Sequence, residues 1–252
     1  MMDTPPGFRG AFHTDRTARA LYSEGAGPFR LIPAAVAFPT DVDDLALLAM
    51  WATGTGTPLT PRGAGSGMPG SNIGPGIVVD LRAFDRPLSV TLAHTATVGA
   101  AVTCQQLNDT AGHFGFRLPP DPSSGRFCTL GGMVATNAAG ARSLKYGSIR
   151  RWVRGVELVT TDGEVFWLHR EGARPERPPT SRLVGDHPKV LKRLDAAHLT
   201  PSAQGFPRTT KNSAGYALDQ WAESGDVLDL IIGSEGTLAF ITLVELALGR
   251  VR

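Results

Sequence analysis

The chain has 252 residues, 42% hydrophobic and 19% charged, with a formal net charge of +2; this suffices for one large core or two small ones and gives no general case for nucleic acid. No apolar region follows Met1-Met2-Asp3-Thr4-Pro5-Pro6, and no run approaches the about 20 residues of a membrane span, so the chain is expected in the cytoplasm, reaching a membrane only through a partner. Cys104 and Cys128 form no C-x-x-C pair, which leaves two free thiols, no metal site and no redox motif.

Residues 1–28 are polar, with Gly and Pro, and are read as an arm lying on the body. Thr40-Asp41-Val42-Asp43-Asp44 opens a helix with a capping residue and acids in its first turn. Val42, Leu45, Ala49 and Ala52 share one face of it, and Gly54 ends it. A strand at Pro58–Thr60, a glycine-rich loop and a strand at Ile77–Leu81 complete a small α/β lobe over about residues 29–94. A larger lobe, about 95–250, begins with a strand at Thr97–Thr103 and a helix marked by Leu107, Ala111 and Phe114 and closed by Gly115. Val153–Thr160 and Glu164–Leu168 form a hairpin about Thr161-Asp162-Gly163, where Asp-Gly is a strong turn signal. Arg170–Ser181 is a charged, proline-rich surface excursion, and Pro188 opens a helix with Val190, Leu191, Leu194 and Ala197 on one face. Val227–Ile232 and Leu238–Leu248 are read as strands joined by Gly233-Ser234-Glu235-Gly236-Thr237.

Between the first two strands of the small lobe, Gly63, Gly65, Gly67 and Gly70 fall within eight residues, directly after Pro61-Arg62. Successive backbone N–H groups in such a turn make a concave anion site suited to a pyrophosphate. Gly65, Gly67 and Gly70 satisfy G-x-G-x-x-G, but that fingerprint requires a helix opening inside it. Pro69, Gly70, Gly74, Pro75 and Gly76 forbid that helix, and a strand follows instead. The dinucleotide-helix reading is rejected.

Two further segments carry chemistry. Leu118-Pro119-Pro120-Asp121-Pro122-Ser123-Ser124 is stiff, because each proline fixes φ and extends the residue before it; such a strip suits the lining of a flat ligand. Thr129-Leu130-Gly131-Gly132-Met133-Val134-Ala135-Thr136-Asn137-Ala138-Ala139-Gly140 is uncharged and built of small residues. Small residues let the backbone itself touch a ligand, while Thr and Asn supply hydrogen bonds.

Together these segments resemble the FAD-binding domain of the vanillyl-alcohol oxidase family, the PCMH-type flavoproteins. The resemblance runs from about Phe29 to Leu248 and rests on Pro61–Gly67, Pro120–Ser124, Thr129–Gly140, Lys145–Ser148, Lys211–Tyr216 and Gly233–Thr242, in family order. The wording is most similar to the glycolate oxidase, D-lactate dehydrogenase and D-2-hydroxyglutarate dehydrogenase branch, and Pro61–Gly70 also resembles members fused to an iron–sulfur module. It implies an α+β, two-lobed fold, the larger lobe holding a mixed sheet with flanking helices, and FAD between the lobes. Pro61, Arg62, Gly63, Ala64, Gly65, Ser66, Gly67 and Met68 would surround the pyrophosphate. Pro120, Asp121, Ser123, Thr129, Gly131, Gly132, Ala135, Thr136, Asn137 and Gly140 would line the flavin and ribityl chain. Tyr146, Gly147, Val153, Glu235, Gly236 and Thr237 would complete the adenine and ribityl contacts. Covalently flavinylated members carry a histidine at the position matched by Ser66 or its neighbour. None of His13, His94, His113, His169, His187 and His198 lies in the loop, so non-covalent FAD is expected.

In the family a cap domain follows and supplies much of the substrate pocket, including metal-ligand histidines and a substrate-binding arginine; here the chain stops at Gly249-Arg250-Val251-Arg252. The cap and an iron–sulfur or other electron-acceptor module are therefore expected to be supplied elsewhere, with this chain a fragment or one subunit. The implied chemistry removes the α-hydrogen of a small 2-hydroxyacid as hydride while a base takes the hydroxyl proton. Lys211 and Asn212, before Gly215-Tyr216, are the candidates for the substrate side, a solvated loop lysine being the alternative for Lys211. Two other readings stay open: a non-catalytic FAD-holding subunit, and an NADPH-dependent enolpyruvyl-nucleotide reductase, against which Gly233–Leu238 argues.

Overall fold

The computed structural model describes residues 2–170, 205–207, 209 and 212–250. The helix expected from Thr40 onward is Val42–Thr55 (α2), started by Asp41, whose carboxylate accepts the Asp44 N–H at 2.9 Å. It runs through Gly54 and stops at Gly56, which takes the left-handed φ of +65° that a helix C-terminus uses. A glycine in a last turn costs only about 1 kcal/mol, so Gly54 is carried by the buried face ahead of it. Before α2 come a strand Ala11–His13 (β1), a helix Arg16–Leu21 (α1) and a strand Ala35–Phe38 (β2). After it come Leu59–Arg62 (β3) and Ile77–Asp80 (β4).

These four strands form one sheet in the order β1-β2-β4-β3. β2 and β3 both pair parallel with β4, while β1 from the arm pairs antiparallel with β2. Parallel strands need long connections: α2 carries the chain from β2 to β3 on the far side of β4, and the 63–76 loop carries it from β3 to its neighbour β4. Ala35, Val36, Ala37, Ile77, Val78 and Val79 are fully buried, as a parallel sheet covered on both faces requires. The arm is tied further to α2, because the buried Asp44 carboxylate accepts the N–H groups of Arg9 and Gly10 at 2.8 and 3.0 Å.

The second sheet has five strands: Leu88–Val90 (β5), Thr95–Gly99 (β6), Val153–Val159 (β8), Val165–His169 (β9) and Phe240–Ala247 (β10), ordered β5-β6-β10-β8-β9. Every pairing in it is antiparallel; the mixed pairing belongs to the four-stranded sheet. Val98, Val244, Val156 and Leu168 are register partners across four strands, and all are buried. Outside this sheet, a short strand Phe116–Arg117 (β7) pairs with Gly249–Arg250 (β11), and a short helix Ser143–Tyr146 (α5) precedes β8. The hairpin of β8 and β9 closes at residues 160–164, with Thr160 N–H donating to the Glu164 carbonyl at 3.0 Å. One contiguous core joins buried residues of both sheets.

Two readings are corrected. The strand expected over Thr97–Thr103 ends at Gly99, because the carbonyls of Ala100 and Val102 accept the N–H groups of Gly131 and Leu130 at 2.9 and 2.8 Å. A helix Cys104–Gly112 (α3) follows, held by a capping box of Thr103 and Gln106, and it stops short of Phe114. Val227–Ile232 is no strand: Leu228–Ile231 is a helical turn (α7) after a helix Leu218–Ser224 (α6). A short run buried all round has no period to distinguish strand from helix, and the Asp226 carboxylate accepts the Leu228 N–H at 2.9 Å, favouring the turn. The helix read from Pro188 and all of the excursion after Arg170 lie outside the described residues.

A buried charge knot fastens α7 to the 3-10 turn Ile149–Arg151 and to the end of β9. Asp229 is paired with Arg150 at 2.8 Å and with Arg170 at 2.9 Å, and its carboxylate also accepts the Ser224 hydroxyl at 2.7 Å. Arg150 further donates to the carbonyls of Asp229 and Ile232, and Arg170 to that of Val153. Burial pushes the Asp229 carboxyl up, and the hydrogen bonds from Arg170, Arg150 and Ser224 outweigh it, leaving it below the ordinary value. A carboxyl depressed in the folded state contributes stability above its unfolded pKa and loses it as pH falls through the folded one. Urea unfolding should show that contribution intact at neutral pH and fading below about pH 4. Asp229→Asn should cost about 3–5 kcal/mol at pH 7, because the buried Arg150 guanidinium loses its carboxylate and the half-buried Arg170 keeps only Asp226, at 3.4 Å.

Candidate functional site

β3 and β4 run parallel and end together at Arg62 and Asp80, so the glycine loop leaves the sheet at its C-terminal edge. The 100–103 stretch that leaves β6 fixes the start of the short helix Leu130–Ala135 (α4) through the two backbone hydrogen bonds described above. From the other side the 233–236 turn is bonded to the end of α4: Gly233 N–H donates to the Val134 carbonyl at 3.0 Å and Glu235 N–H to that of Ala135 at 2.8 Å. Loop, α4 and turn thus converge on one cleft.

A glycine backbone comes close to a neighbouring side chain at two of these junctions. A Cβ on Gly63 would stand 2.3 Å from Thr129 Oγ1, and Gly236, at φ +79°, would place one 2.3 Å from Pro61 Cγ. Only glycine allows both approaches. From Gly63 to Met68 no backbone N–H donates to another described residue, and none of these residues is buried, so the donors are open to a ligand. A run of free donors on a glycine-lined wall is what a pyrophosphate needs. The small-residue wall suits the rest of a dinucleotide such as FAD.

The structure brings fourteen of the expected contacts onto this cleft: Pro61, Arg62, Gly63, Ala64, Gly65, Ser66, Gly67, Thr129, Gly131, Gly132, Ala135, Thr136, Glu235 and Gly236. From the proline strip it is Pro122 and Ser124 that reach the wall. Pro120, Asp121 and Ser123 are not on it; the Asp121 carboxylate instead faces Arg142 at 3.4 Å and Arg117 at 3.8 Å. Gly140 packs on the Asp121 carbonyl. Met68 is exposed, and Thr237 is exposed with its hydroxyl 2.7 Å from that of Tyr216. Val153 is in the core, and Tyr146 meets Trp152 edge-on while its carbonyl accepts the indole N–H at 3.0 Å. Asn137 and Gly147 line a second, polar cavity, and so does Asn212. The Asn137 Oδ1 is buried without a hydrogen-bond partner among the described residues. Asn212 Oδ1 accepts the Ala214 N–H at 3.2 Å, a local turn, and Lys211 lies outside the described residues.

Wall residues the sequence reading missed are Ser71, Asn72, Leu81, Ala100, Cys128, Ala239 and Ile241, while Met133 and Ala138 come from the 131–140 segment expected to line the flavin. Asn72 had a local signal, a polar side chain just past the loop. Leu81, Ala100 and Ile241 come from strand ends of two sheets and had none. Burial pushes the Cys104 thiol up to about 12 and raises that of Cys128, so both are protonated at neutral pH. Among the described wall residues none is a histidine, and among the described helices none is long and apolar enough to cross a membrane.

Residues 33–169 match the family described as FAD binding domain. The chain is 32% identical to D-2-hydroxyglutarate dehydrogenase of Pantoea ananatis (strain AJ13355), over 95% of this chain and 25% of that protein. It is 31% identical to D-lactate dehydrogenase of Archaeoglobus fulgidus, over 94% of this chain and 42% of that one. It is 27% identical to glycolate oxidase subunit GlcD of Bacillus subtilis (strain 168), over 92% and 40%. The chain therefore spans between a quarter and about two fifths of the length of these relatives. Among solved structures, 6-hydroxy-D-nicotine oxidase from Arthrobacter nicotinovorans superposes with a TM-score of 0.68 at 18% identity, covering 99% of this chain and 44% of that one. An alkyldihydroxyacetonephosphate synthase superposes with a TM-score of 0.64 at 21% identity, covering 95% and 41%. The same fold is thus shared well beyond close sequence likeness. With more than half of its residues matched, and with the glycine loop and α4 both inside that match, this chain belongs to the FAD binding domain family.

Proposed function

We propose that the chain binds FAD non-covalently in the cleft and is the FAD-binding part of an oxidoreductase that oxidises a small 2-hydroxyacid of the D-lactate, glycolate or D-2-hydroxyglutarate kind. The observation that carries the cofactor reading is the run of N–H groups from Gly63 to Met68, unpaired among the described residues, beside a glycine-lined wall. The substrate class rests on the names of the relatives. In this reading the arm is residues 1–28 and the FAD domain 29–250, with a cap and an iron–sulfur or other electron acceptor contributed by further domains or another chain. The protein would work in the cytoplasm, meeting a membrane only through such a partner.

When bound, FAD supplies the hydride acceptor. The chain's residues bind and orient it. The N–H groups of Gly63–Met68 hold the pyrophosphate, Thr129 and Thr136 present hydroxyls among glycines and alanines, and Leu81, Met133 and Ile241 offer apolar contact. Cys128 is the thiol on this wall, and its burial keeps it protonated and unreactive. That, with Ser66 in place of a histidine, supports non-covalent attachment.

The purified chain, reconstituted with FAD, should show a flavin absorption spectrum, and acid precipitation should release the flavin to the supernatant. Flavin fluorescence remaining with the pellet would sink the non-covalent reading, and a chain that takes up no FAD would sink the whole proposal. In the full-length enzyme, anaerobic D-lactate, glycolate or D-2-hydroxyglutarate should bleach the flavin; colour without bleaching by any of them would mark a FAD-holding module instead. Gly63→Val, which drives a side chain into Thr129, should weaken FAD binding at least about tenfold, some 1.4 kcal/mol, in a fluorescence titration.

A further inference from the structure

Residues 22–27 lie against the glycine loop without lining the cleft. The Ala26 N–H donates to the Gly65 carbonyl at 2.9 Å, a backbone hydrogen bond at the middle of the loop. To one side, Arg62 Nη1 donates to the carbonyls of Glu24 at 2.8 Å and Asn72 at 3.3 Å, tying both roots of the loop to the arm. The same guanidinium sits over the Tyr22 ring, 5.1 Å from its centroid. The Tyr22 hydroxyl donates to the Asp80 carboxylate at the end of β4. To the other side, a Cβ on Gly27 would stand 2.0 Å from the Met68 carbonyl oxygen, and one on Gly25 would stand 2.3 Å from Asn72 Oδ1. Main chain therefore touches main chain at Gly27, with no room for a side chain.

A loop rich in glycine has many conformers, and selecting one during binding costs affinity unless something has selected it beforehand. Here the arm engages the carbonyl side of the loop, at Gly65 and Met68, and its two roots, Arg62 and Asn72. The N–H groups from Gly63 to Met68 remain unpaired among the described residues. We propose that residues 22–27 are a strap that sets the loop's conformation, with Tyr22 and Gly27 as positioning residues for the FAD pyrophosphate. The proposal rests on the reading of the cleft as an FAD site.

Fluorescence titration of the whole chain with FAD, and with ADP by competition, tests it. Gly27→Ala, which puts a methyl group on the Met68 carbonyl, should raise both dissociation constants about tenfold or more and by a common factor. The absorption maxima of the flavin it does bind should match the wild type, because the strap touches only the pyrophosphate end. Tyr22→Leu should behave alike, and Tyr22→Phe, which keeps the ring on Arg62, should stay within about threefold of the wild type. Should Gly27→Ala not fold by circular dichroism, the two Tyr22 variants decide. Folded Gly27→Ala and Tyr22→Leu chains that bind both ligands as the wild type does would overturn the strap and leave the FAD site standing. An altered flavin spectrum, or loss of FAD with ADP unaffected, would overturn it as well. A wild-type chain that binds neither ligand would overturn the FAD reading itself.

Discussion

Close packing of glycine backbone against neighbouring side chains is the constraint on which the rest of this molecule depends. The cleft is walled by segments far apart in sequence, the loop after β3, the strip at 122–124, α4 and the 233–236 turn. They meet where a glycine on one segment leaves room for a side chain of another, Gly63 against the Thr129 hydroxyl and Gly236 against the Pro61 ring. A larger residue at either junction would push one wall away by more than a hydrogen bond can follow. The wall so formed is mostly backbone and small side chains, and its polarity is that of amide groups. This suits a ligand whose charge is neutralised by oriented dipoles.

Holding such a wall still requires fastening elsewhere, and two devices do it. Between α7, the 149–151 turn and the end of β9, Asp229 balances Arg150 and Arg170 in a buried knot whose remaining donors reach carbonyls of three segments. Ions buried this way are weak evidence of net stability, since desolvation opposes their attraction. Their geometry is specific, and it anchors the residues immediately before the 233–236 turn. On the opposite side, the strap does the same for the glycine loop with backbone hydrogen bonds and an aromatic ring. Burial, with the hydrogen bond and charge of Asp80, pushes the Tyr22 hydroxyl up to about 12, so it stays a donor throughout the physiological range.

The division of labour in the family follows from this arrangement. A domain whose cleft wall is mostly backbone and small side chains can change most other side chains and keep the fold, and the fold is shared, at a TM-score of 0.68, with a structure only 18% identical. The choice of substrate is then free to reside in other parts of the longer relatives, of which this chain matches between 25% and 42% in the cases above.

The sequence by itself determined the parts with local causes. The capped α2, the hairpin with Asp162-Gly163 and the glycine loop that could not be a helix start were each legible, because caps, turns and φ limits act within a few residues. It also determined which small-residue segments make the wall, from Pro61–Gly67 to Thr129–Thr136. Only the tertiary structure decided where strand β6 stops, since Ala100 and Val102 leave the sheet to bond Leu130 and Gly131, thirty residues away. It decided that Val227–Ile232 is a helical turn, because a run buried on every side has no periodicity and its Asp229 needed two arginines from other elements. It placed Leu81, Ala100 and Ile241 in the cleft, Asp121 behind it, and the arm against the loop. Those outcomes depend on contacts between distant residues, and no window of sequence contains them.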